Sequence, residues 1–407
     1  MAKKKYTAAI IGTGRIGFTL GFDKKREQPA SHTMALKANR RVRILAGCDT
    51  SASRLKQWEK FNKKAALFSD SAHLFAAIKP DIVVIAVNED SHLSSSLAAL
   101  RAKPRLLILE KPVALNMEEG RRIQAEAFSQ NVPVLVNHER RFSLDYRIAR
   151  DYMKSIGSIQ TVNARLDSGL YVYNPEKEES GGYSLLHDGT HLVDIVQFLL
   201  EGLAEKTDAS VSGVKTSSGA GPVSEAVIYG AEGASKNAPS GAGPVSGAEI
   251  SEERASSESD AFSSGAATLS KGSITSIYYD EKNTDIVRNL TVHFESPVCN
   301  DVNFFFSGRS RFFGFEVEVI GTEGAFRIGN GIFEFYKREE SRLYSGFYSL
   351  TADKKVKRPK KTLYFSNMVK NAVDFLDGKE PLYSSLETGL KTLEILEDIK
   401  NKIKSQL

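Results

Sequence analysis

The first third of the chain alternates short apolar runs with helix-like stretches, and this alternation constrains the fold more than any other feature. The apolar runs are nearly continuous, as in strands buried on both faces, and they are Thr7–Ile11, Val42–Cys48, Ile82–Val87, Leu106–Leu109 and Val134–Val136. The intervening segments have helical spacing and are Ser51–Phe61, Asp70–Ile78, Ser91–Arg101 and Met117–Phe128. Strands that alternate with helices indicate an α/β unit with a doubly wound parallel sheet.

The pattern changes after about Leu144, where β-rich runs follow one another without clear helices between the later ones. These runs are Ile159–Leu166, Thr275–Tyr279, Asn289–Phe294, Val302–Phe306, Phe315–Ile320 and Ala325–Ile328. They predict an α+β region with a large, mostly antiparallel open sheet. Two amphipathic stripes then predict helices around Phe365–Leu376 and Leu386–Ile403. We therefore expect two domains, residues 1–142 and 143–407.

One segment, about residues 213–272, fits neither domain. It is rich in Ser, Gly, Ala and Glu, and the sequence SGAGPVS occurs in it twice. Such a composition buries too little apolar surface to offset the entropy of ordering. We expect a flexible surface insertion, either a tolerated loop that grew by duplication or an arm that binds a partner.

Composition argues against several classes of protein. The net charge is only +5 and the charges are well mixed, so neither a dedicated nucleic-acid binder nor a membrane binder is indicated. Two distant cysteines, Cys48 and Cys299, fit a reducing compartment without a disulfide framework. The N-terminus lacks a signal-type apolar region, and no run approaches the roughly 18 apolar residues of a membrane span. We expect a soluble cytoplasmic protein.

The motif Gly12-Thr13-Gly14-Arg15-Ile16-Gly17 follows the first predicted strand directly. Its glycines allow a tight turn and a close approach of the backbone to a pyrophosphate, which a following helix N-terminus would face. Asp49 ends the second strand, where a carboxylate can bind the adenosine ribose hydroxyls and repel a 2′-phosphate. The polar stretch Phe22–Ser31 accounts for the long spacing between them as an insertion. We predict NAD as the cofactor, with NADP as the alternative because Thr50, Ser51 and Arg54 follow Asp49.

Polar or charged residues follow three later strands of the predicted sheet, where ligands of such sheets bind. Glu110-Lys111-Pro112 ends the fourth apolar run, so Glu110 and Lys111 would face the cofactor, and Pro112 restricts the backbone beside the lysine. Asn88, after the third run, would lie near the nicotinamide-side ribose or simply end a polar loop. The charges of Asn137–Arg141 would line the cleft or solvate the domain boundary, and we favour the second for Arg140.

A second constellation lies in the segment Gly181–Asp194, GGYSLLHDGTHLVD. If it is helical, His187 and His191 share one face, and an imidazole with a pKa near neutrality is a natural acceptor for a hydroxyl proton. The rival reading is a zinc site, because HDGTH is similar to H-E-x-x-H with Asp188 for Glu. A glycine within the helix, the shorter carboxylate and the dinucleotide loop argue against zinc, so we predict no metal.

These motifs together resemble the Gfo/Idh/MocA oxidoreductases, the family of glucose–fructose oxidoreductase and inositol dehydrogenase. GTGRIG, CD, EKP, NHERRF, the GG…HDGTHLVD block and VIGTEGAF occur in the family's order. The resemblance implies an N-terminal Rossmann domain, a C-terminal domain with a large open sheet, and homodimers or homotetramers formed through that sheet. The family's catalytic lysine falls on Lys111 and its catalytic histidine on His191. Many members have an aspartate four residues before that histidine, where this chain has His187, followed by Asp188.

The resemblance implies an NAD(P)-dependent dehydrogenase or reductase that acts on a sugar, a cyclitol or a related polyol. His191 would take the hydroxyl proton, Lys111 would stabilise the developing alkoxide, and His187 or Asp188 would orient the substrate or relay the proton. The substrate site would include Tyr171, Tyr173 and Tyr183. Two alternatives stay open: NAD-assisted elimination or glycoside cleavage through transient oxidation, and a non-catalytic dinucleotide-binding sensor or scaffold.

Overall fold

The computed structural model describes residues 4–210 and 269–407 of the chain. Its first sheet has six parallel strands in the order β3-β2-β1-β4-β5-β6, which confirms the predicted doubly wound sheet. The strands are β1 (Tyr6–Ile11), β2 (Val42–Cys48), β3 (Ala66–Phe68), β4 (Ile82–Ile85), β5 (Leu106–Leu109) and β6 (Val134–Val136). The strand order reverses beside β1, so the carboxyl ends of β1 and β4 form the crevice where such sheets bind ligands.

Five helices connect these strands: α1 (His32–Ala38), α2 (Ala52–Glu59), α3 (Ser71–Ala77), α4 (His92–Arg101) and α5 (Met117–Gln130). Four of them fall where helical spacing predicts them. The sequence pattern misses α1, because a polar stretch separates it from the glycine motif. It also misses β3, a short edge strand whose three residues are all partly or fully exposed and therefore lack an apolar run.

The second sheet has eight strands in the order β14-β13-β12-β11-β7-β10-β9-β8. They are β7 (Ile159–Asp167), β8 (Ser270–Asp280), β9 (Asn283–Ser296), β10 (Cys299–Ser307), β11 (Gly314–Gly321), β12 (Gly324–Gly329), β13 (Phe333–Glu340) and β14 (Tyr348–Ala352). Every neighbouring pair is antiparallel except β7 with β10, so the prediction of a mostly antiparallel sheet is confirmed. The pattern misses β13 and β14, whose residues are largely charged or exposed.

Five further helices belong to this half of the chain: α6 (Leu144–Tyr152), α7 (Ser184–His187), α8 (Gly189–Ser210), α9 (Tyr364–Leu376) and α10 (Leu386–Lys404). The last two return to the first sheet. α9 buries Phe365, Met368 and Val369 in a core shared with β1, β4 and β5. α10 packs on α5, β6 and α8, so apolar contacts join the two sheets.

Residues 213–268 of the predicted insertion lie outside the described residues. Residues 270–272 belong to β8. The basic run Lys354–Lys361 is an irregular and largely exposed loop. Both cysteines are buried and free. Among the helices that the structure describes, none has both the length and the apolar character needed to cross a bilayer.

Candidate active site

The glycine motif leaves the carboxyl end of β1 and meets the carboxylate that ends β2. The backbone N–H of Thr13 donates to Oδ2 of Asp49 at 2.8 Å, and the Thr13 hydroxyl lies 3.2 Å from the same oxygen. The Ser51 N–H donates to Oδ1 at 2.9 Å, which fixes the carboxylate against the loop. The Arg54 guanidinium is largely exposed and lies 3.9 Å from Oδ1 of Asp49. Arg15 is exposed and Ile16 is half-buried.

The loop has room for a dinucleotide at the position where the motif requires it. A methyl group added at Gly14 would contact only the Arg54 guanidinium, at 3.6 Å or more, so this side of the loop is open to a phosphate. A methyl group at Gly17 would instead lie 1.9 Å from the Gly12 carbonyl oxygen, so the loop closes only with glycine there. These residues therefore fit the pyrophosphate and ribose of a dinucleotide.

The segment after the glycine motif differs from the expected helix. A short 3₁₀ turn, Thr19–Phe22, follows the motif, and α1 begins only at His32. The predicted insertion separates them and takes up the residues that would form a continuous helix. The prediction that a regular α-helix N-terminus faces the phosphates is therefore wrong in this form. Backbone N–H groups still bond back into the loop, from Phe18 to the Gly14 carbonyl at 2.9 Å.

The Glu110 side chain is buried among protein partners at the end of β5, and its contact with the cofactor stays a prediction. It is 5% exposed, and its Oε1 lies 2.5 Å from His32 Nε2 and 2.7 Å from the Asn137 amide that donates to it. Burial raises the pKa of Glu110, but these partners outweigh burial and the net shift is downward. Glu110 thus anchors the ends of β5 and β6 and the start of α1. His32, for which a cofactor contact and a surface role were both open, is fully buried here.

Lys111 meets the HDGTH segment although 76 residues separate them in sequence. Its Nζ donates a hydrogen bond to the backbone carbonyl of His187 at 2.9 Å. Because Lys111 follows β5, this contact brings the segment to the carboxyl edge of the parallel sheet. Asn88 follows the neighbouring strand β4 and is exposed at the same edge. The structure therefore brings together Lys111, His187 and the ends of β4 and β5.

The HDGTH segment is not one continuous helix. α7 ends at His187, Asp188 interrupts the helical pattern, and α8 begins at Gly189. His187 Nδ1 lies 2.5 Å from Oε1 of Glu89. Asp188 accepts a hydrogen bond from the Ser168 hydroxyl at 2.6 Å. The two histidines thus do not form the i, i+4 pair of a metal-binding helix, and no cluster of three or more His, Cys, Asp or Glu side chains suited to a metal occurs in the described parts of the chain.

His191 is a neutral imidazole at neutral pH. Burial lowers its pKa well below 6.5, and the charges of Arg140 and Lys111 lower it further. Its Nδ1 is buried and has no hydrogen-bond partner among the described residues. The ring packs edge to face on His138, with 6.3 Å between the ring centroids. An unprotonated imidazole among cations is suited to accept a proton.

Arg140 and Arg141 are both held inside the structure. The Arg140 side chain is 13% exposed and its guanidinium lies over the Phe315 ring at 3.9 Å, so the prediction that Arg140 solvates the domain boundary is wrong. Arg141 is buried and donates to Asp194 at 2.8 and 2.9 Å and to Glu201 at 3.0 and 3.1 Å. Burial raises the pKa of Asp194 to about 6 despite this partner. Asp194 therefore serves an ion pair rather than the open cleft.

The three tyrosines predicted for the substrate site have different surroundings. Tyr173 and Tyr183 are 1% and 2% exposed, and they pack on each other with 5.6 Å between ring centroids. Burial raises the pKa of both hydroxyls, and the part of these tyrosines in a substrate site stays a prediction. Tyr171 is half-buried, and its hydroxyl donates to Asp280 at 3.1 Å.

The predicted site set omits three neighbours of the histidines: Glu89, His138 and Arg140. Glu89 follows β4, and His138 and Arg140 follow β6. The signal that could have identified them is the one that identified Lys111, a polar side chain directly after a buried strand. For these three residues the signal is weaker, because the charged segments that contain them are also typical of ordinary loops at strand ends.

In comparison with known proteins, the segment that forms the first sheet matches a family model. Residues 6–138 match the model of the "Oxidoreductase family, NAD-binding Rossmann fold". D-glucoside 3-dehydrogenase of Escherichia coli (strain K12) is 25% identical over 207 residues, 49% of this chain and 55% of that protein. The 1,5-anhydro-D-fructose reductase of Ensifer adhaerens is 28% identical over 126 residues, 30% of this chain and 38% of that protein. The chain thus spans about half the length, or less, of these curated relatives.

A solved structure extends the likeness to nearly the whole chain. An oxidoreductase from Agrobacterium radiobacter, in complex with NAD+, L-tartaric acid and magnesium, has a TM-score of 0.63 at 15% identity. The match covers 99% of this chain and 98% of that chain, and it shows a shared fold. Residues 6–138 thus match the model of the Gfo/Idh/MocA oxidoreductase family, which confirms the resemblance inferred from the motifs and the NAD-binding Rossmann fold of this segment.

Proposed function

We propose that the chain is an NAD(P)-dependent dehydrogenase or reductase acting on a CH–OH group of a sugar, a cyclitol or a related polyol. The observation that carries this proposal is the hydrogen bond from Lys111 to the His187 carbonyl, which joins the end of β5, on the sheet edge that carries the glycine loop, to the segment that holds His191. The names of the curated relatives, a glucoside dehydrogenase and an anhydrofructose reductase, support the substrate class.

Each site residue has a role that its surroundings support. Bound NAD supplies the acceptor for the hydride that leaves the alcohol carbon. His191 accepts the hydroxyl proton, since burial and nearby cations keep its imidazole neutral. One N–H of the Lys111 ammonium donates to the His187 carbonyl. Another N–H donates to the alcohol oxygen as negative charge develops there. His187 and Asp188, each held by a neighbour, orient the substrate or relay the proton.

The cofactor is held by the glycine loop and the strand ends beside it. The residues are Gly12, Thr13, Gly14, Arg15, Ile16, Gly17, Asp49, Asn88 and Lys111. We favour NAD because the fixed Asp49 carboxylate would repel a 2′-phosphate. NADP stays the alternative, since the exposed Arg54 guanidinium lies beside the same carboxylate. The expected homodimer or homotetramer through the eight-stranded sheet also remains a prediction.

The test is a panel of sugars and polyols with NAD and with NADP, read by the absorbance of the reduced nicotinamide. We expect Lys111→Ala and His191→Ala each to lower the rate by about 10²–10⁴-fold, because each removes a positioned group, while NAD binding measured by calorimetry is kept. Lys56→Ala and His73→Ala, at exposed positions, serve as matched controls. Near-normal rates in both site variants would contradict the proposal. Cofactor that is reduced and then regenerated in each cycle would favour elimination or glycoside cleavage instead.

A further inference from the structure

Glu89 forms a pair with His187 that none of the family motifs in this chain includes. Glu89 lies in the short 3₁₀ turn after β4, and its Oε1 is 2.5 Å from His187 Nδ1. The side chain of Glu89 is 16% exposed and that of His187 is 44% exposed. A half-buried carboxylate thus holds one nitrogen of an imidazole that is partly exposed to solvent.

We propose that Glu89 is a positioning residue of the active site, which holds His187 in a single tautomer and makes it the proton relay between His191 and solvent. The proposal rests on the proposed function, because it assigns a task within the same reaction. Glu89 brings a carboxylate to His187 from the end of another strand, β4.

The fold holds this pair from two sides. Lys111 fixes the main chain of His187 through its carbonyl at 2.9 Å, and Glu89 fixes the side chain. Gly181 lets the preceding loop approach closely, since a methyl group there would lie 3.3 Å from Glu89 Cβ and its φ is +68°. β4 and β5 are neighbours in the sheet, so both contacts arise at one edge.

The pairing determines which nitrogen of His187 can exchange a proton. A carboxylate can only accept a hydrogen bond, so His187 Nδ1 carries the hydrogen, and in the neutral ring the lone pair is on Nε2. Burial raises the pKa of Glu89, but the hydrogen bond and charge of His187, together with Lys111, bring it down to about 2. Glu89 therefore stays a carboxylate at neutral pH and does not itself carry the proton.

The reaction releases a proton in each cycle, and the Glu89–His187 pair provides a route for that proton to reach solvent. Oxidation of an alcohol releases one hydride to the nicotinamide and one proton, which His191 accepts. The charges of Arg140, Lys111, His138 and His187 all disfavour a protonated His191, which must lose its proton in each cycle. Of these neighbours, the partly exposed His187 can pass the proton to solvent through Nε2.

The experiment combines kinetics with ¹⁵N NMR of the histidine rings of the full chain. Glu89→Gln keeps the size of the side chain and removes its charge, and Asp90→Asn is the matched control at the next, exposed position. We expect Glu89→Gln to lower kcat by about tenfold or more, the usual loss when an orienting partner is removed, and to change the pH profile of kcat, with KM for NAD unchanged. The His187 signals should show the Nδ1–H tautomer in the wild type and lose it in Glu89→Gln.

The tautomer measurement does not depend on turnover, so it separates this inference from the proposed function. An Nε2–H tautomer of His187 in the wild type would overturn the proposal, even if Glu89→Gln failed to fold. Unchanged kcat and pH profile in a folded Glu89→Gln variant would also overturn it. In a His187→Gln background, Glu89→Gln should have no further effect on kcat, and an additional loss there would contradict the relay.

Discussion

His138 is buried and His191 is half-buried, and the surroundings of both favour a neutral imidazole. His138 is 1% exposed and lies 3.3 Å from Oδ1 of Asp194, but Arg141 already occupies that carboxylate at 2.8 Å. Burial, followed by the charge of Arg141, therefore lowers the pKa of His138 well below 6.5. A lowered pKa leaves His191 able to accept a proton, and the lowered pKa of His138 makes the stability of the fold sensitive to acid.

We predict that the stability of the protein falls with acidity partly because of His138. Below about pH 6.5 the unfolded chain binds a proton at His138 that the folded chain excludes, so the free energy of unfolding decreases as the pH falls, by about 1.4 kcal/mol per pH unit for one group. Glu89 does not contribute in this range, because its ordinary pKa is 4.5 and its folded value is lower.

The measurement is urea unfolding of wild type and His138→Gln between about pH 7 and about pH 5. His138→Gln removes the titrating group, so its slope should be shallower than that of the wild type by about one proton. His73→Gln, at an exposed histidine, should keep the wild-type slope. Equal slopes for wild type and His138→Gln would contradict the prediction.

The glycine loop between β1 and α1 holds two glycines with opposite surroundings. We predict that Gly17→Ala weakens both folding and NAD binding, since its methyl group would lie 1.9 Å from a carbonyl oxygen and overpacking costs about 1–3 kcal/mol. Gly14→Ala should change the stability by less than about 0.5 kcal/mol, as at an uncrowded site, and should weaken NAD binding alone. Urea unfolding and calorimetry measure the two effects, and wild-type stability of Gly17→Ala would refute this account of the loop.

The elements that are predicted best from the sequence are those whose burial requires a continuous run of apolar residues. β5 and β6 have the predicted bounds because both strands are fully buried and apolar throughout. β13 and β14 escape prediction because charged and exposed residues dominate them. α1 is not predicted because the insertion before it separates the helix from the glycine motif that it normally follows directly.

The candidate site follows the same rule. Lys111 and His191 can be proposed from the sequence, because Lys111 follows a buried strand and His191 lies in the HDGTH motif. The partner of His187 cannot be predicted, because Glu89 is 98 residues away and only the packing of two strand ends brings them together. Burial of Tyr173 and Tyr183 is equally invisible in sequence, since an aromatic residue near a cleft motif suits a core and a ligand site alike.

The two sheets are joined by the chain's later helices and by one buried ion-pair network. α9 packs in the core of the first sheet, and α10 contacts α5 and β6 of the first half and α8 of the second. Arg141, just after β6, pairs with Asp194 and Glu201 of α8. The Thr392 hydroxyl of α10 lies 3.4 Å from Asp194 and 2.8 Å from the Gln197 amide that donates to it. Elements from both halves therefore meet at Arg141.

We predict that Arg141→Ala lowers the free energy of unfolding by about 3–5 kcal/mol, because it leaves the buried carboxylate of Asp194 without its cation. Arg141→Lys should not restore stability, since one ammonium cannot reproduce the forked bonds to two carboxylates. Arg121→Ala, on the exposed face of α5, should stay within about 0.5 kcal/mol of the wild type. Urea unfolding followed by both Trp58 fluorescence and circular dichroism measures these changes. Because Arg141 is shared by the two halves, the two signals should shift together. A shift in only one of them would mean that the halves unfold separately and that Arg141 stabilises one half alone.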